Sequence, residues 1–290
     1  MAAPLRPRRS VLFMPGANAR VLEKARELPA DGLIFDLEDA VAPDAKPAAR
    51  EAVAAAVGQG GYGKRELVLR VNALDTEWGA DDLQAAAAMR IDAVLLPKVE
   101  SAERVRGTVS ALDMGGAPAD MAIWCMIETP KGVLAAAEIA AAHPRIAALV
   151  MGTSDLTKNL QARPMPNRLP LLTSLQLVLV AARAHGLTAL DGVHLDLADE
   201  AGFASVCEHG RALGFDGKTL IHPTQIAPAN SAFAPSENEV AQARKIIAAH
   251  EAALAAGKGI VVVDGRLVEN LHVEAAQRIL ALAEAIAELS

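Results

Sequence analysis

Short apolar runs recur along the whole chain, separated by stretches rich in Ala, Glu and Arg. The runs are SVLFMPG (10–16), GLIFDLE (32–38), ELVLRVN (66–72), DAVLLPKV (92–99), MAIWCMIE (121–128), IAALVMG (146–152), TALDGVH (188–194) and FDGKTLIHP (215–223). Several are apolar at consecutive rather than alternate positions. That marks strands buried on both faces, and so a parallel sheet covered by helices. Between them, 17–28, 47–57, 80–89, 101–112, 132–142, 169–185 and 199–213 are built mainly from good helix formers. Eight strands, nearly every one followed by a helix, predict an α/β fold of the (β/α)8 TIM-barrel type. An open doubly wound sheet competes with it, but the glycine-rich first turn of that fold is absent. The barrel is expected over 1–257, closed by a helix at 236–256. Residues 258–290 are expected to form a C-terminal lid or oligomerisation extension: the run IVVVDGRLV with a turn at Asp264-Gly265, then a helix from Val273.

Composition narrows the class. The 290 residues carry 28 Lys+Arg against 35 Asp+Glu, a formal charge of −7, and 52% are apolar. That is globular rather than disordered, and its acidic balance argues against nucleic acid or an anionic membrane as partner. Arg6, Arg8 and Arg9 form a basic cluster near the start, but only Val11 to Met14 follow before Pro15-Gly16, too few for a signal peptide. No apolar run approaches the length of a membrane span. Cys125 and Cys207 sit in dissimilar settings and read as reduced thiols, so the protein is expected to be soluble and cytoplasmic.

The polar residues give the barrel a candidate function, because chemistry in this fold collects at the C-terminal ends of the strands. Strand two ends in Asp36, Glu38 and Asp39, strand three in Arg70 and Asn72, strand four in Lys98 and Glu100, and strand five in Glu128. Ser154-Asp155 follows strand six, His194 ends strand seven, and strand eight runs through Lys218 to His222. Glu128 and Asp155, from adjacent strand ends, suit a hard cation such as Mg²⁺, with Mn²⁺ as substitute and water or substrate filling the remaining positions. Zinc is disfavoured, since the 7 His form no metal-ligand spacing. The structural alternative is that Glu128 caps the helix near Pro130 and Asp155 caps a turn.

Arg70 suits a planar carboxylate or a developing oxyanion, and a salt bridge to Asp36 or Glu38 is compatible with that role. Lys98 reads as a charge that orients Glu38 and Glu100 rather than as a Schiff-base amine, because carboxylate neighbours keep it protonated. His194 and His222 read as hydrogen-bonded scaffolding rather than bases. Neither a GxSxG elbow nor a P-loop occurs.

The strings RSVLFMPG, LIFDLEDAV, RVN, LLPKVE, MIETPKGV, VMGTSDLT, DGV and GFDGKTLIHPTQI together resemble the citrate lyase beta-subunit-like family of the HpcH/HpaI aldolase superfamily, which includes malyl-CoA, methylmalyl-CoA and citramalyl-CoA lyases. The resemblance spans essentially the whole chain. It implies a Mg²⁺-dependent barrel enzyme that cleaves a 3-hydroxy-3-carboxyacyl-CoA to acetyl- or propionyl-CoA and a 2-oxo acid by retro-Claisen chemistry. By position it implies Glu128 and Asp155 as metal ligands and Arg70 as the group on the substrate carboxylate or carbonyl. Glu38, Asp39 and Lys98 are expected around the substrate. Phe13, Arg20 and Lys24 fall where relatives contact the nucleotide end of CoA. Asp264 falls where relatives present a catalytic Asp from a neighbouring subunit, which implies a homotrimer or a multiple of it. Asp39 stands where the hydroxy-oxo-acid aldolase branch carries its histidine base, a departure from that branch. A malyl-CoA thioesterase on the same site, a citrate lyase beta subunit and a non-catalytic binding protein are the alternatives.

Overall fold

The structure is a computed structural model that describes residues 5–255 and 261–289. The boundary expected between 257 and 258 lies outside the described residues. Eight parallel strands close into a barrel in sequence order: β1 (Ser10–Pro15), β2 (Gly32–Asp36), β3 (Glu66–Arg70), β4 (Ala93–Leu96), β5 (Ala122–Ile127), β6 (Ile146–Met151), β7 (Thr188–Asp191) and β8 (Gly217–Leu220). Closure comes from β1 pairing with β8, Val11 opposite Thr219. The helices are α1 (Ala19–Lys24), α2 (Lys46–Gln59), α3 (Gly79–Ala88), α4 (Ala102–Met114), α5 (Pro130–Leu134), α6 (Ala136–Ala140), α7 (Thr153–Asn159), α8 (Leu172–Ala184), α9 (Glu200–Leu213) and α10 (Ile226–Phe233).

The consecutive apolar residues of the strands divide between two cores, as a pleat of period two requires. Val11, Ile34, Val68, Ala93, Leu95, Trp124, Met126, Ala148, Val150 and Leu190 pack inside the barrel. Their neighbours, among them Leu12, Leu33, Leu69, Val94, Cys125 and Leu149, pack against the helices. The N-terminal end of the barrel is plugged. The Arg8 guanidinium lies 5.1 Å from the centre of the Trp124 ring and pairs with Glu66 at 2.6 Å. Arg9 pairs with Asp31 at 2.8 Å, so two members of the basic cluster near the start of the chain serve the fold.

The chain forms two compact units, Arg8–Phe233 and a second made of the N-terminal residues and 234–289. Helix α10 closes the barrel by packing on β1, β8 and α9. The segment expected to do so forms α11 (Glu237–Ala255) instead and packs in the second unit. There it meets the hairpin β9 (Val261–Val263) and β10 (Arg266–Val268) and the last helix, α12 (Asn270–Leu289). Asp264 and Gly265 form the hairpin turn with φ of 49° and 77°, the left-handed pair that a two-residue turn between antiparallel strands needs. No helix among the described residues is long and apolar enough to cross a membrane.

Candidate active site

Continuing the inward positions of each strand by two residues brings Phe13, Asp36, Arg70, Glu128 and Gly152 to the C-terminal mouth. They line a cavity of about 390 Å³ together with Asp39, Met126, Met151, Ser154, Asp155, Val193 and Thr219. The apolar lower barrel gives this cavity an apolar floor, and charge is concentrated on its rim.

Arg70 is the centre of the rim. It is buried, and Asp36 accepts from its Nε at 2.7 Å and its Nη2 at 2.6 Å. Asp36 is itself held by the backbone N–H groups of Glu38 and Ala40, at 2.9 and 3.2 Å. The guanidinium carbon lies 4.8 Å from the Phe13 ring centre. One edge of the fork is therefore clamped, while Nη1 is in ion-pair contact with Glu38 Oε2 at 2.9 Å and lies 3.6 Å from Asp39. Burial opposes the charge on Arg70, but Asp36 and Glu38 outweigh it and hold its pKa above the usual value. Glu38 bridges Arg70 and Lys98, whose Nζ donates to Oε1. Burial raises the Glu38 pKa despite both cations. Its Oε2, although beside Arg70, is buried without a well-aligned hydrogen bond.

Glu128 is 2% exposed, and burial pushes its carboxyl up to about 7 against the opposing Lys98 backbone N–H. That N–H donates to Oε1 at 2.8 Å. The Glu128 side chain occupies the space that a Cβ at position 152 would need, so glycine is required there. Asp155, in the first turn of α7, takes no partner among the described residues. Neither acid caps a helix: Thr129 caps α5, and Gly152 stands at the cap of α7. Among the described residues no three His, Cys, Asp or Glu side chains group as a metal cage. Two carboxylates with open space between them suit a hard ion that keeps water, not a closed tetrahedral site.

These observations can be set beside known proteins. Residues 9–223 match the family described as HpcH/HpaI aldolase/citrate lyase. The chain is 51% identical over 287 residues to a (3S)-malyl-CoA thioesterase of Cereibacter sphaeroides, covering 99% of this chain and 98% of that one. It is 39% identical over 284 residues to citrate lyase subunit beta of Escherichia coli K12, covering 96% and 94%. The solved structure of Mycobacterium tuberculosis CitE in complex with magnesium, acetoacetate and coenzyme A superposes with a TM-score of 0.77 at 32% identity, covering 98% of this chain and 99% of that one. The chain belongs to the HpcH/HpaI aldolase/citrate lyase family.

Within this family barrel the mouth gathers Phe13, Asp39, Arg70, Glu128 and Asp155 on one cavity, with Glu38 and Lys98 bound to its rim. Arg20 and Lys24 lie exposed on α1, one helical turn apart, outside the cavity lining. Asp264 is exposed in the second unit, 3.7 Å from Lys245. Glu100 pairs with Lys131 at 3.4 Å rather than with Lys98. Asn72 binds Asp82 and the Leu37 carbonyl and so serves the loops. His222 accepts from the Thr224 N–H and caps a short turn, while the His194 ring packs on Phe203.

Lys218 is not at the mouth. It points out of the barrel toward α9 and binds Asp191 at 3.2 Å. Its neighbour Thr219 lines the cavity instead. Sequence reasoning missed Gly152 and Thr219. A glycine offers no functional group to read, but Thr219 follows from counting inward positions along β8.

Proposed function

We propose that this protein acts on the CoA thioester of a 3-hydroxy-3-carboxy acid, malyl-CoA foremost, held on Mg²⁺ between Glu128 and Asp155, and hydrolyses it to malate and CoA. What carries the reading is the unspent donor set at the mouth. Glu128 uses one oxygen on Lys98 N–H, Asp155 uses none, and Gly152 leaves room for the Glu128 carboxylate to stand where it does. Oxygen donors of this kind fit Mg²⁺, and Mn²⁺ equally. The ion, when bound, polarises the substrate oxygens it touches.

The chain's own groups do the rest. The Nη1 side of Arg70, which Asp36 does not clamp and which rests against Glu38, binds the substrate carboxylate or thioester oxygen, in an orientation fixed by Asp36. Glu38, buried behind the rim, holds Arg70 and Lys98 in place. Asp39 and Lys98 set the charge around it. Phe13 walls the cavity toward α1, where the cations Arg20 and Lys24 suit the phosphates of CoA.

Full-length similarity supports hydrolysis as the outcome. At about half identity the chain resembles malyl-CoA thioesterases, above its similarity to citrate lyase beta subunits. On that ground we rank hydrolysis first, and carbon–carbon cleavage, put first on the sequence, becomes the second reading. The observation favouring it is Asp264, an exposed acid at the tip of a tight turn. In that reading the hairpin completes a neighbour's site within a cytoplasmic homotrimer, or a multiple of it, and Asp264 protonates the thioester enolate carbon.

One assay separates the two. The protein is incubated with Mg²⁺ and malyl, methylmalyl and citramalyl thioesters, and the products are identified by mass. Free CoA with malate supports hydrolysis. Acetyl-CoA with glyoxylate establishes cleavage, in which case Asp264→Asn should sharply lower turnover and regain it on subunit exchange with Arg70→Ala. No turnover of any thioester overturns both readings.

A further inference from the structure

The backbone of Lys98 is strained, and the strain stands at the junction of the two halves of the site. Its φ of 48° lies in the left-handed region, where any residue with a Cβ meets a steric penalty that glycine avoids. Such a conformation persists where the surroundings over-determine it. Two contacts do so here. The Lys98 N–H donates to Glu128 Oε1 at 2.8 Å, and the Lys98 amine at the other end of the same residue holds Glu38. Glu38 in turn is in ion-pair contact with Arg70 at 2.9 Å, and Arg70 is clamped by Asp36. The Lys98 side chain is 43% exposed, so the ion pair rather than packing keeps it in place. A glycine at this position would relieve the strain but would give up the grip on Glu38.

We propose that Lys98 is a positioning residue. Its amine, anchored on Glu38, holds the residue in the left-handed conformation, and that conformation aims its N–H at Glu128 and fixes this carboxylate relative to Arg70. The link to metal binding rests on the proposed role of Glu128 as a ligand. The link between backbone and ion pair does not.

Two substitutions separate the backbone from the amine. Lys98→Met keeps the Cβ and its steric conflict but removes the ion pair, so residue 98 relaxes and its N–H leaves Glu128. Lys98→Gly also loses the amine, yet occupies the same φ without strain and leaves the N–H in place. Both lose the grip on Glu38 and Arg70.

Mn²⁺ affinity is measured by titration calorimetry on the whole protein, with melting temperature and the steady-state constants for the thioester. Lys98→Met should bind Mn²⁺ on the order of tenfold more weakly, the penalty of one left-handed residue read as affinity. Lys98→Gly should stay within about twofold of wild type and melt above Lys98→Met by a few degrees. KM for the thioester should rise to a similar extent in both. Equal Mn²⁺ affinity in the two variants, or an unchanged KM in both, overturns the proposal.

Glu128→Gln serves as the control. If it binds Mn²⁺ as tightly as wild type, the metal reading of Glu128 fails and the melting temperatures decide. Lys98→Gly melting above Lys98→Met then sustains the backbone coupling, and equal melting overturns it.

Discussion

Two ionic clusters stand on opposite faces of the barrel wall, built from the same residue types. At the mouth, facing the axis, the carboxylates Asp36, Glu38, Asp39, Glu128 and Asp155 outnumber the cations Arg70 and Lys98. Outside the wall, Asp191 at the end of β7 receives both Arg168, at 2.7 Å, and Lys218. The outer cluster leaves nothing spare. Asp191 also accepts from Gly192 N–H, and Lys218 donates to the Gly192 carbonyl. A Cβ on Gly210 of α9 would stand 2.8 Å from Asp191 Oδ2, so the helix is packed onto the pair. Burial would raise the Asp191 pKa, but Lys218 and Arg168 hold it low. At the mouth burial wins over the cations, and Glu38 and Glu128 are pushed up. Burial and charge alone do not mark a site; oxygens left without donors beside open space do.

The comparison breaks most sharply by truncating one member on each side. Glu128→Ala and Asp155→Ala should each lower kcat/KM by about three orders of magnitude or more, the scale of a lost metal-ion contribution. Folding, followed by circular dichroism, should survive, and exhaustive chelation of wild type should reproduce the loss reversibly. Full activity after chelation would remove the metal from the mechanism. Asp191→Asn should do the opposite. It leaves Lys218 and Arg168 buried with no counter-charge, a loss of about 3–5 kcal/mol, read as a lowered denaturation midpoint. Turnover per folded molecule should stay within about twofold. Adding Lys218→Met should return part of the stability, because it removes the stranded charge.

The barrel is legible in sequence because its strands are buried on both faces, and runs such as LIF at 33–35 and VLL at 94–96 then stand out as core strands. The closing helix is less so. Pro228 lies in the first turn of α10, where a missing N–H costs little. Read along the sequence it looks like a break, and the longer α11 draws the assignment. The carboxylates of the mouth are legible as acids at strand ends. The placement of Lys218 is not, because it depends on register: Val11, an inward residue, pairs with Thr219, which turns Lys218 outward. The partners of Glu128 are equally hidden, since a backbone N–H and an absent Cβ carry no signal in the residue alphabet.

The smallest effect expected sharpens the contrast through pH. Glu128 titrates near 7 in the fold because burial disfavours its charge, against an ordinary value of 4.5. The folded protein therefore holds this proton more tightly than the unfolded chain. The carboxyl adds no penalty below about pH 4.5, and the cost of ionising it in the fold grows as pH rises, reaching its full size above about 7. A shift of this size corresponds to about 3 kcal/mol at most, reduced by whatever water reaches the carboxylate from the cavity. Glu128→Gln keeps an acceptor for Lys98 N–H and removes the charge. In metal-free protein at pH 8 it should raise the melting temperature by a few degrees, with the gain fading toward pH 5. Saturating Mg²⁺ should reverse the order at pH 8, since wild type alone would then recover binding energy from the carboxylate. A pH-independent difference between the two proteins would mean that Glu128 is not held protonated by burial, and the distinction between the two clusters would then rest on their contacts alone.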